Sequence, residues 1–364
     1  MTGHNVRHVG APTLDIWSDL VRSDPTALIF QTPQWMRCLT HCGWVDASRL
    51  YKTRDERLLV LPLAVRQHRP TRTWVLASLP SGWGTGGLLA RGGARLEDIA
   101  AVASQLTMEP FLQVRLRPTF LAAAAWERAS LPPGRHIPRR VHVLDLRGGM
   151  DQVWEQRFGS RTRQGMRTAR RRTDEAGITV QCGHAPELVR QFYDLYLQWV
   201  IRRAVANGIP VRLARARATF AEPRRTFQAV AQEIGDQCRI RVASLRGHPV
   251  AATVTLLGDR TAIYWRGYDD RETARRLHVP ELLHLAAIKD ACEHGCDYYE
   301  MGESGGIASL ERFKLKLGAR PQDITEYRLE RVPLSALQDG VGVAVERLGS
   351  LLTLSHARGK SSPT

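Results

Sequence analysis

Glycine and apolar spacing leave the chain fewest choices between Tyr298 and Pro321, which reads YYEMGESGGIASLERFKLKLGARP. Residues 297–301 read as a short strand. Gly302, Gly305 and Gly306 follow as a loop in which backbone can come close to a ligand, because no Cβ stands in the way. Ser309 is placed to cap a helix. Arg312, not Glu, stands three residues on, so the hydroxyl cap lacks its reciprocal partner. Leu310, Phe313 and Leu317 fall at i, i+3 and i+7 and predict the buried stripe of that helix. Gly318 stops it and Pro321 keeps it stopped.

Two lysines in this stretch stand out against the rest of the chain. Lys and Arg total 52, but only Lys52, Lys289, Lys314, Lys316 and Lys360 are lysines. Lysine is a compact point charge on a flexible stem, arginine a planar fork. A site that needs the former resists replacement. The plain alternative is a pair of solvated helix lysines.

The run MGESGGIASLERFKLKLGARP resembles the closing motif of the Fem-type aminoacyltransferases and their double-GNAT acyltransferase relatives. Those proteins show a Gly/Ser-rich loop, then Phe-Lys, then a Phe/Leu-Gly-Gly/Ala-x-Pro ending. Phe313, Lys314, Gly318 and Pro321 stand at the matching places. A second match is the Phe-x-x-x-x-Trp element at Phe30 and Trp35. The resemblance covers roughly residues 28–330. It implies an α/β chain of two GNAT-like domains, each a mixed, mostly antiparallel sheet flanked by helices.

Length and composition bound the alternatives. A chain of 364 residues makes one large or two medium domains. No apolar run approaches the ~20 residues of a membrane span. The N-terminus has no apolar signal-peptide core, so the cytoplasm is the default expectation. Six cysteines include two pairs four apart, Cys38/Cys42 and Cys292/Cys296, with His41 and His294 close by. Zinc sites favour Cys-x-x-Cys pairs, so buried thiols are the better reading and no metal is expected. The net charge of +16 points to an anionic partner: nucleic acid, a phosphorylated substrate or a lipid surface.

Along the chain, the first dozen residues look loose and Pro12 to Arg22 reads as a helix. Residues 49–66 alternate into a hairpin, and Trp74 to Leu79 is a further strand. Pro80 to Gly87 is glycine-rich but lacks the Gly-Lys-Ser/Thr of a P-loop. In Fem-like proteins the loop here lies near the acceptor site, which makes Trp83 a candidate to stack on substrate; a plain strand-to-strand loop is the alternative. Helix 96–107, strand 111–116 and helix 119–130 follow. The Pro/Gly-rich stretch 131–138 breaks the pattern before a strand at 141–146. The expected division is therefore 1–148, 149–335, and a 336–364 segment with one amphipathic helix near Leu337–Leu352 and a polar end.

The second part opens with a helix capped by Ser160 and ended by Gly177. From Arg157 to Arg172 there are seven arginines and no acid. Arg161, Arg163, Arg167, Arg170 and Arg171 are candidate phosphate ligands; a solvated basic face is the alternative. Residues 185–206 form an aromatic-rich helix whose Phe192, Tyr193, Tyr196 and Trp199 read as core. Arg202 to Arg225 adds more arginine with few acids. Helix 227–234, a three-strand meander over 239–268 and a mostly apolar helix 280–294 lead back to the opening stretch. Meander, helix, strand, helix is the GNAT order.

GNAT enzymes that use acyl-CoA carry a glycine-rich pyrophosphate loop after the splayed strand. Arg266 to Pro280 has no such glycine pair, which counts against acyl-CoA. The resemblance implies aminoacyl-tRNA as co-substrate, with no bound cofactor, and the basic balance suits it, since phosphate neutralisation drives most nucleic-acid affinity. An aminoacyl ester is already activated, so no nucleophilic residue is required, and no Ser/His/Asp or Cys/His arrangement is supported here. Lys314 is the candidate for charge stabilisation or for steering the donor's 3′ end. Glu300 and Glu303 are candidates to orient or deprotonate the amine. Phe313, Lys316, Ser304, Trp265, Arg266 and Tyr268 are candidate substrate contacts. Three readings stay open: Fem-like transfer to an amine, the same fold using acyl-CoA, and a non-catalytic RNA-binding protein. The acceptor is a peptidoglycan precursor, a small amine or a protein N-terminus.

Overall fold

The computed structural model describes residues 6–65, 75–109 and 111–330. Its first half runs β1 (Val6–Gly10), α1 (Leu14–Ser23), α2 (Pro33–His41), β2 (Val45–Asp46), β3 (Arg49–Thr53), β4 (Leu58–Leu61), β5 (Ala64–Val65), β6 (Val75–Ala77), β7 (Leu89–Ala90), α3 (Leu96–Met108), β8 (Gln113–Leu116), α4 (Ala123–Arg128) and β9 (Arg135–Asp145). The second runs α5 (Gly149–Gln152), α6 (Ser160–Ala176), β10 (Ile178–Gly183), α7 (Pro186–Ala206), α8 (Val211–Ala221), α9 (Arg224–Ile234), β11 (Cys238–Leu245), β12 (His248–Leu257), β13 (Thr261–Asp269), α10 (Glu272–Leu277), α11 (Val279–Glu293), β14 (Tyr298–Glu303), α12 (Ala308–Lys316) and β15 (Arg320–Glu330). Residue 66, Trp74, the helix expected at Leu337–Leu352 and the whole 336–364 segment lie outside the described residues.

Local chemistry explains most boundaries. The Thr32 hydroxyl accepts from Trp35 N at 3.1 Å and Pro33 opens α2, so that helix starts where its first N–H needs no partner. Gly177 ends α6 at φ 73°, a left-handed conformation that glycine adopts without strain. The two serine caps are corrected. Gly159 and Ile307 occupy the N-cap positions of α6 and α12, and neither Ser160 nor Ser309 caps through its side chain. At α12 the main chain does the work: Ile307 N donates to Ser304 O at 3.0 Å and starts the turn early. The loose N-terminus is also corrected from Val6 onward, because β1 pairs antiparallel with β3.

Eleven strands form one sheet in the order β10-β11-β12-β13-β14-β9-β15-β8-β6-β5-β2, and β1-β3-β4-β7 form a second. Most neighbours are antiparallel; β13–β14 and β6–β8 are parallel. Strand β9 begins six residues earlier than the Pro-rich stretch suggested. It pairs with β15 from Arg135 to Val143, while β14 joins its other side only from Val141. Among the described residues, Pro138 thus lies where β9 has β15 on one side and no strand on the other, an edge position of the kind that tolerates proline.

The large sheet runs on past residue 148. β15 comes late in sequence, yet it pairs with β9 and β8 and so completes the sheet of the first half. The 1–148 and 149–335 division stands as a proposal about two units, one lending a strand to the other. Apolar packing is partly shared. Leu59, Leu61, Val102, Leu106 and Trp126 pack in the first half with Tyr327 and Leu329 of β15. Met166, Ile288, Tyr299, Met301 and Leu317 of the second half pack together with Leu144 of β9. A third cluster joins Phe30 and Trp35 to Phe192, Phe227 and Trp265, across the division. Phe192, Tyr193 and Tyr196 are buried there, in line with their reading as core. No helix among the described residues is long and apolar enough to cross a membrane.

Candidate active site

The cleft begins where two strands part. β13 and β14 pair only over Thr261–Ile263 and Tyr298–Glu300. Beyond that, β13 stays with β12 out to Asp269, while β14 turns to β9 with a register shift between Glu300 and Glu303. Their divergence opens a cleft of about 960 Å³. Tyr264 to Asp269 line one wall and Glu300 to Glu303 the other; α12, the α10–α11 junction and residues 81–85 close it.

Lys314 sits at the root of this cleft. Its side chain is 1% exposed, although the sequence places it one step off the apolar stripe. The ammonium donates to Gly302 O at 2.8 Å and Glu303 O at 2.9 Å, carbonyls at the shifted end of β14. An ammonium has three donors, so one is left beyond these two bonds. Burial lowers its pKa to about 8, and the nearby Glu300, Glu303 and Glu311 oppose that shift. Glu300 is buried as well. Its Oε2 has no hydrogen-bond partner among the described residues. Burial raises its pKa to about 7, Lys314 pulls it back, and Glu303 adds to the rise. Burial thus moves both groups toward neutral pH, the acid upward and the ammonium downward. Phe313, expected to be buried, is half-buried against His284 at 5.3 Å between ring centroids.

Charge surrounds the acid side of the cleft. Glu303 lies 3.7 Å from Arg117 Nη1 and 3.6 Å from Arg139 Nη1. Both guanidinium groups also reach the buried Glu326, at 2.7 and 3.2 Å. Burial alone would raise the Glu326 carboxyl, but hydrogen bonds and charge from Arg117 and Arg328 overrule it and hold it at about 2. Arg117, Arg139 and His284 were not singled out from the sequence. Arg117 and Arg139 are two arginines among many, and His284 is a lone histidine on an apolar helix. His284 Nδ1 lies 3.0 Å from the Tyr299 hydroxyl. Burial, then the charges of Lys314 and Arg241, push its pKa to about 3, so it is neutral.

The glycine-rich loop is tied to β13. Trp265 Nε1 and Arg266 Nη2 both donate to Gly82 O, at 3.3 and 2.8 Å. Arg266 also pairs with Glu222 at 2.9 Å. Trp35 Nε1 donates to Trp83 O at 3.0 Å. Gly84 has φ 99°, and a Cβ there would lie 2.2 Å from the Phe30 ring. Phe30 and Trp35 therefore shape this loop, which explains why the Phe-x-x-x-x-Trp element accompanies it. The Trp83 ring packs against Trp35 and Trp265 at 5.6 and 6.0 Å, while its neighbours Gly82 and Gly84 line the cleft.

Lys314, Glu300, Glu303, Phe313, Trp265, Arg266 and Tyr268 come together around one cleft. Trp83, Ser304 and Lys316 do not line it. Ser304 is buried, and its hydroxyl has no partner among the described residues. Lys316 is exposed, 3.4 Å from Glu281 of the α10–α11 junction. The arginines of α6 lie outside. Arg163 is not a free phosphate ligand: its Nη1 donates to the carbonyls of Trp154, Glu155 and Phe158, closing the turn before α6. Arg167 lies over the Trp154 ring at 5.8 Å. Arg170 and Arg171 are exposed and near Asp174 and Glu175, at 4.0 and 3.8 Å. Arg161 is exposed. α6 packs on α10 and α11, whose Arg275, His278 and Glu281 line the cleft mouth.

At the start of α10, where a pyrophosphate-binding loop would stand, carboxylates occupy the backbone donors. Asp269 Oδ1 accepts from Arg271 N and Asp270 Oδ1 from Ala274 N, both at 2.9 Å. Among the described residues no three His, Cys, Asp or Glu side chains gather as a metal site.

Residues 160–315 match the family model described as an acetyltransferase (GNAT) domain. The structure is similar to that of FemX, with a TM-score of 0.61 and 13% identity, over 91% of this chain and 99% of that one. It is also similar to a conserved protein of unknown function from Bacteroides thetaiotaomicron, with a TM-score of 0.54 and 14% identity, over 89% and 98%. A tandem GNAT protein from the clavulanic acid biosynthesis pathway superposes with a TM-score of 0.47 and 14% identity, over 90% and 99%. No curated protein sequence matches this chain.

Proposed function

From the Fem-like double-GNAT fold of this chain, we propose that it is an N-acyltransferase that moves an aminoacyl group from aminoacyl-tRNA to an amine held in the cleft. The observation that carries the reading is that Lys314 and Glu300 are both buried at the root of the splay and both line the one cleft; burial draws the pKa of each toward neutrality. An ester donor needs no protein nucleophile. The amine nitrogen attacks the ester carbonyl, the C–N bond forms, and the C–O bond to the ribose oxygen breaks. The Lys314 ammonium offsets the negative charge that develops on the carbonyl oxygen. Glu300, half ionised near its pKa of about 7, takes the proton released by the amine and returns it to the departing ribose oxygen, which leaves as the hydroxyl. Glu303, between Arg117 and Arg139, orients the amine before attack. Trp265, Arg266 and Tyr268 supply the opposite wall for the acyl group.

The exposed arginines of α6, namely Arg161, Arg167, Arg170 and Arg171, are proposed to meet the donor's phosphates beside the cleft mouth. The carboxylates at the start of α10 speak against a CoA pyrophosphate at that helix, since they fill its N–H groups and repel an anion. A family model described as acetyltransferase keeps acyl-CoA as the second donor to test. A cytoplasmic setting, where charged tRNA is found, belongs to the same proposal. The test is mass spectrometry of products after incubation with charged tRNA or acyl-CoA and candidate amines. An amide carrying the aminoacyl mass supports the proposal. An acyl product from acyl-CoA alone moves the assignment to the second donor. RNA binding with no product from either leaves a binding protein on this fold.

A further inference from the structure

α8 stands apart from every site above. It rests on α7 through Ala214 and Ala218, with the Tyr196 hydroxyl 3.5 Å from Ala218 O, and of its residues only Ala218 is buried. Its other side faces away from the protein. At about 3.6 residues per turn, Leu213, Ala216 and Phe220 fall at i, i+3 and i+7 along the centre of that outer face. Phe220 is 80% exposed and Leu213 46%. Arg212 and Arg215 flank the strip on one side and Arg217 on the other. All three are exposed and make no ion pair among the described residues. The end of α7 adds Val205, 65% exposed, and the turn before α8 adds Ile209, 40% exposed. No acid occurs between Asp194 and Glu222, while Arg202, Arg203, Arg212, Arg215 and Arg217 do.

An apolar centre with cationic flanks on an outward face is the pattern of a helix lying in the plane of a membrane surface. The charge selects an anionic partner, and the aliphatic Leu213, Val205 and Ile209 around Phe220 favour lipid over RNA, because unpaired bases stack on an aromatic ring but offer nothing to aliphatic side chains. A second copy of this chain is a poor occupant, since two such faces would bring like charges together. We propose that α8 and the α7–α8 turn dock the protein on an anionic lipid bilayer. Phe220 and Leu213 enter the headgroup region, and Arg212, Arg215 and Arg217 pair with lipid phosphates. Arg203 and Trp199, one and two turns back along α7, line the cleft, so docking sets the cleft mouth close to the bilayer.

The experiment is flotation of the full chain with vesicles of phosphatidylcholine alone and of phosphatidylcholine with phosphatidylglycerol. The protein should float with the anionic vesicles and stay behind with the neutral ones. The double substitution Leu213→Glu with Phe220→Glu should lower binding roughly tenfold or more, with an unchanged melting curve. Phe220→Trp should keep it. Replacing Arg212, Arg215 and Arg217 with Gln should weaken binding roughly fivefold per arginine. The proposal is overturned if wild type floats with neither vesicle or equally with both, or if the double Glu variant floats as wild type does. Loss of tRNA binding or of a dimer in that variant, with vesicle binding intact, would reassign the face to RNA or to self-association.

Discussion

At the scale of single residues, Lys314 carries the central demand. Removing one oxyanion-stabilising contact typically costs roughly 10²–10³ in rate. Lys314→Ala should lose turnover by about that factor, and Lys314→Arg should restore little, because a planar fork cannot reproduce one compact donor held by two carbonyls. Steady-state rates beside melting curves check this, and normal turnover in the Ala variant would reduce Lys314 to a buried structural charge. The proposed chemistry needs Glu300 ionised and Lys314 protonated. The rate should therefore rise through about pH 7 and fall through about pH 8, with the two limbs belonging to the coupled pair. Stability follows the same two groups. Glu300's folded pKa lies above its ordinary 4.5, so its stabilising contribution is full below 4.5 and lost as pH rises through about 7. Lys314's lies below its ordinary 10.5, so stability is regained between about 8 and 10.5. In Lys314→Met the upper gain should vanish in urea unfolding measured across that range; an unaltered slope would contradict the burial of the charge.

At the scale of elements, α6 and the glycine loop make opposite tests. Arg163→Gln should lower the melting temperature, because its guanidinium holds three carbonyls. Arg167→Gln with Arg170→Gln should leave melting unchanged and reduce the salt slope of tRNA binding by about 2, one for each lost phosphate contact. If Arg163→Gln flattens the slope and leaves melting alone, the roles have been exchanged. Gly84→Ala should destabilise by about 1–3 kcal/mol by driving a Cβ into the Phe30 ring, read by denaturant unfolding. These elements also show what a sequence reveals. Meander, long helices and the loop before Lys314 were legible, because period, glycine and proline mark them locally. Strand β9 between Arg135 and Val141 was hidden, since Pro138 argues against a strand until its open side is known. Arg117, Arg139 and Glu326 were hidden too. Strands distant in the chain bring them together, and no local pattern distinguishes those arginines from the rest.

At the scale of the whole molecule, two unit-like halves share one sheet through β15, and the cleft lies where that sheet splays. The first half supplies the loop 81–85, Arg117 and Arg139; the second supplies Lys314, Glu300 and the β13 wall. Chemistry built this way depends on the sheet being continuous, with β15 holding β9 in place beside β14. The net charge of +16 suits a large anionic donor, and its excess is arginine, which leaves a buried lysine at the cleft as the exception to explain. The most direct measurement is single-turnover amide formation from charged tRNA, with an amine acceptor, by wild type and by Lys314→Met at a pH between the two limbs. The account predicts an amide bearing the aminoacyl group from wild type, and a rate lower by roughly 10²–10³ in the variant with the fold intact. Equal rates from both proteins would contradict it, as would a wild-type chain that forms no aminoacyl product.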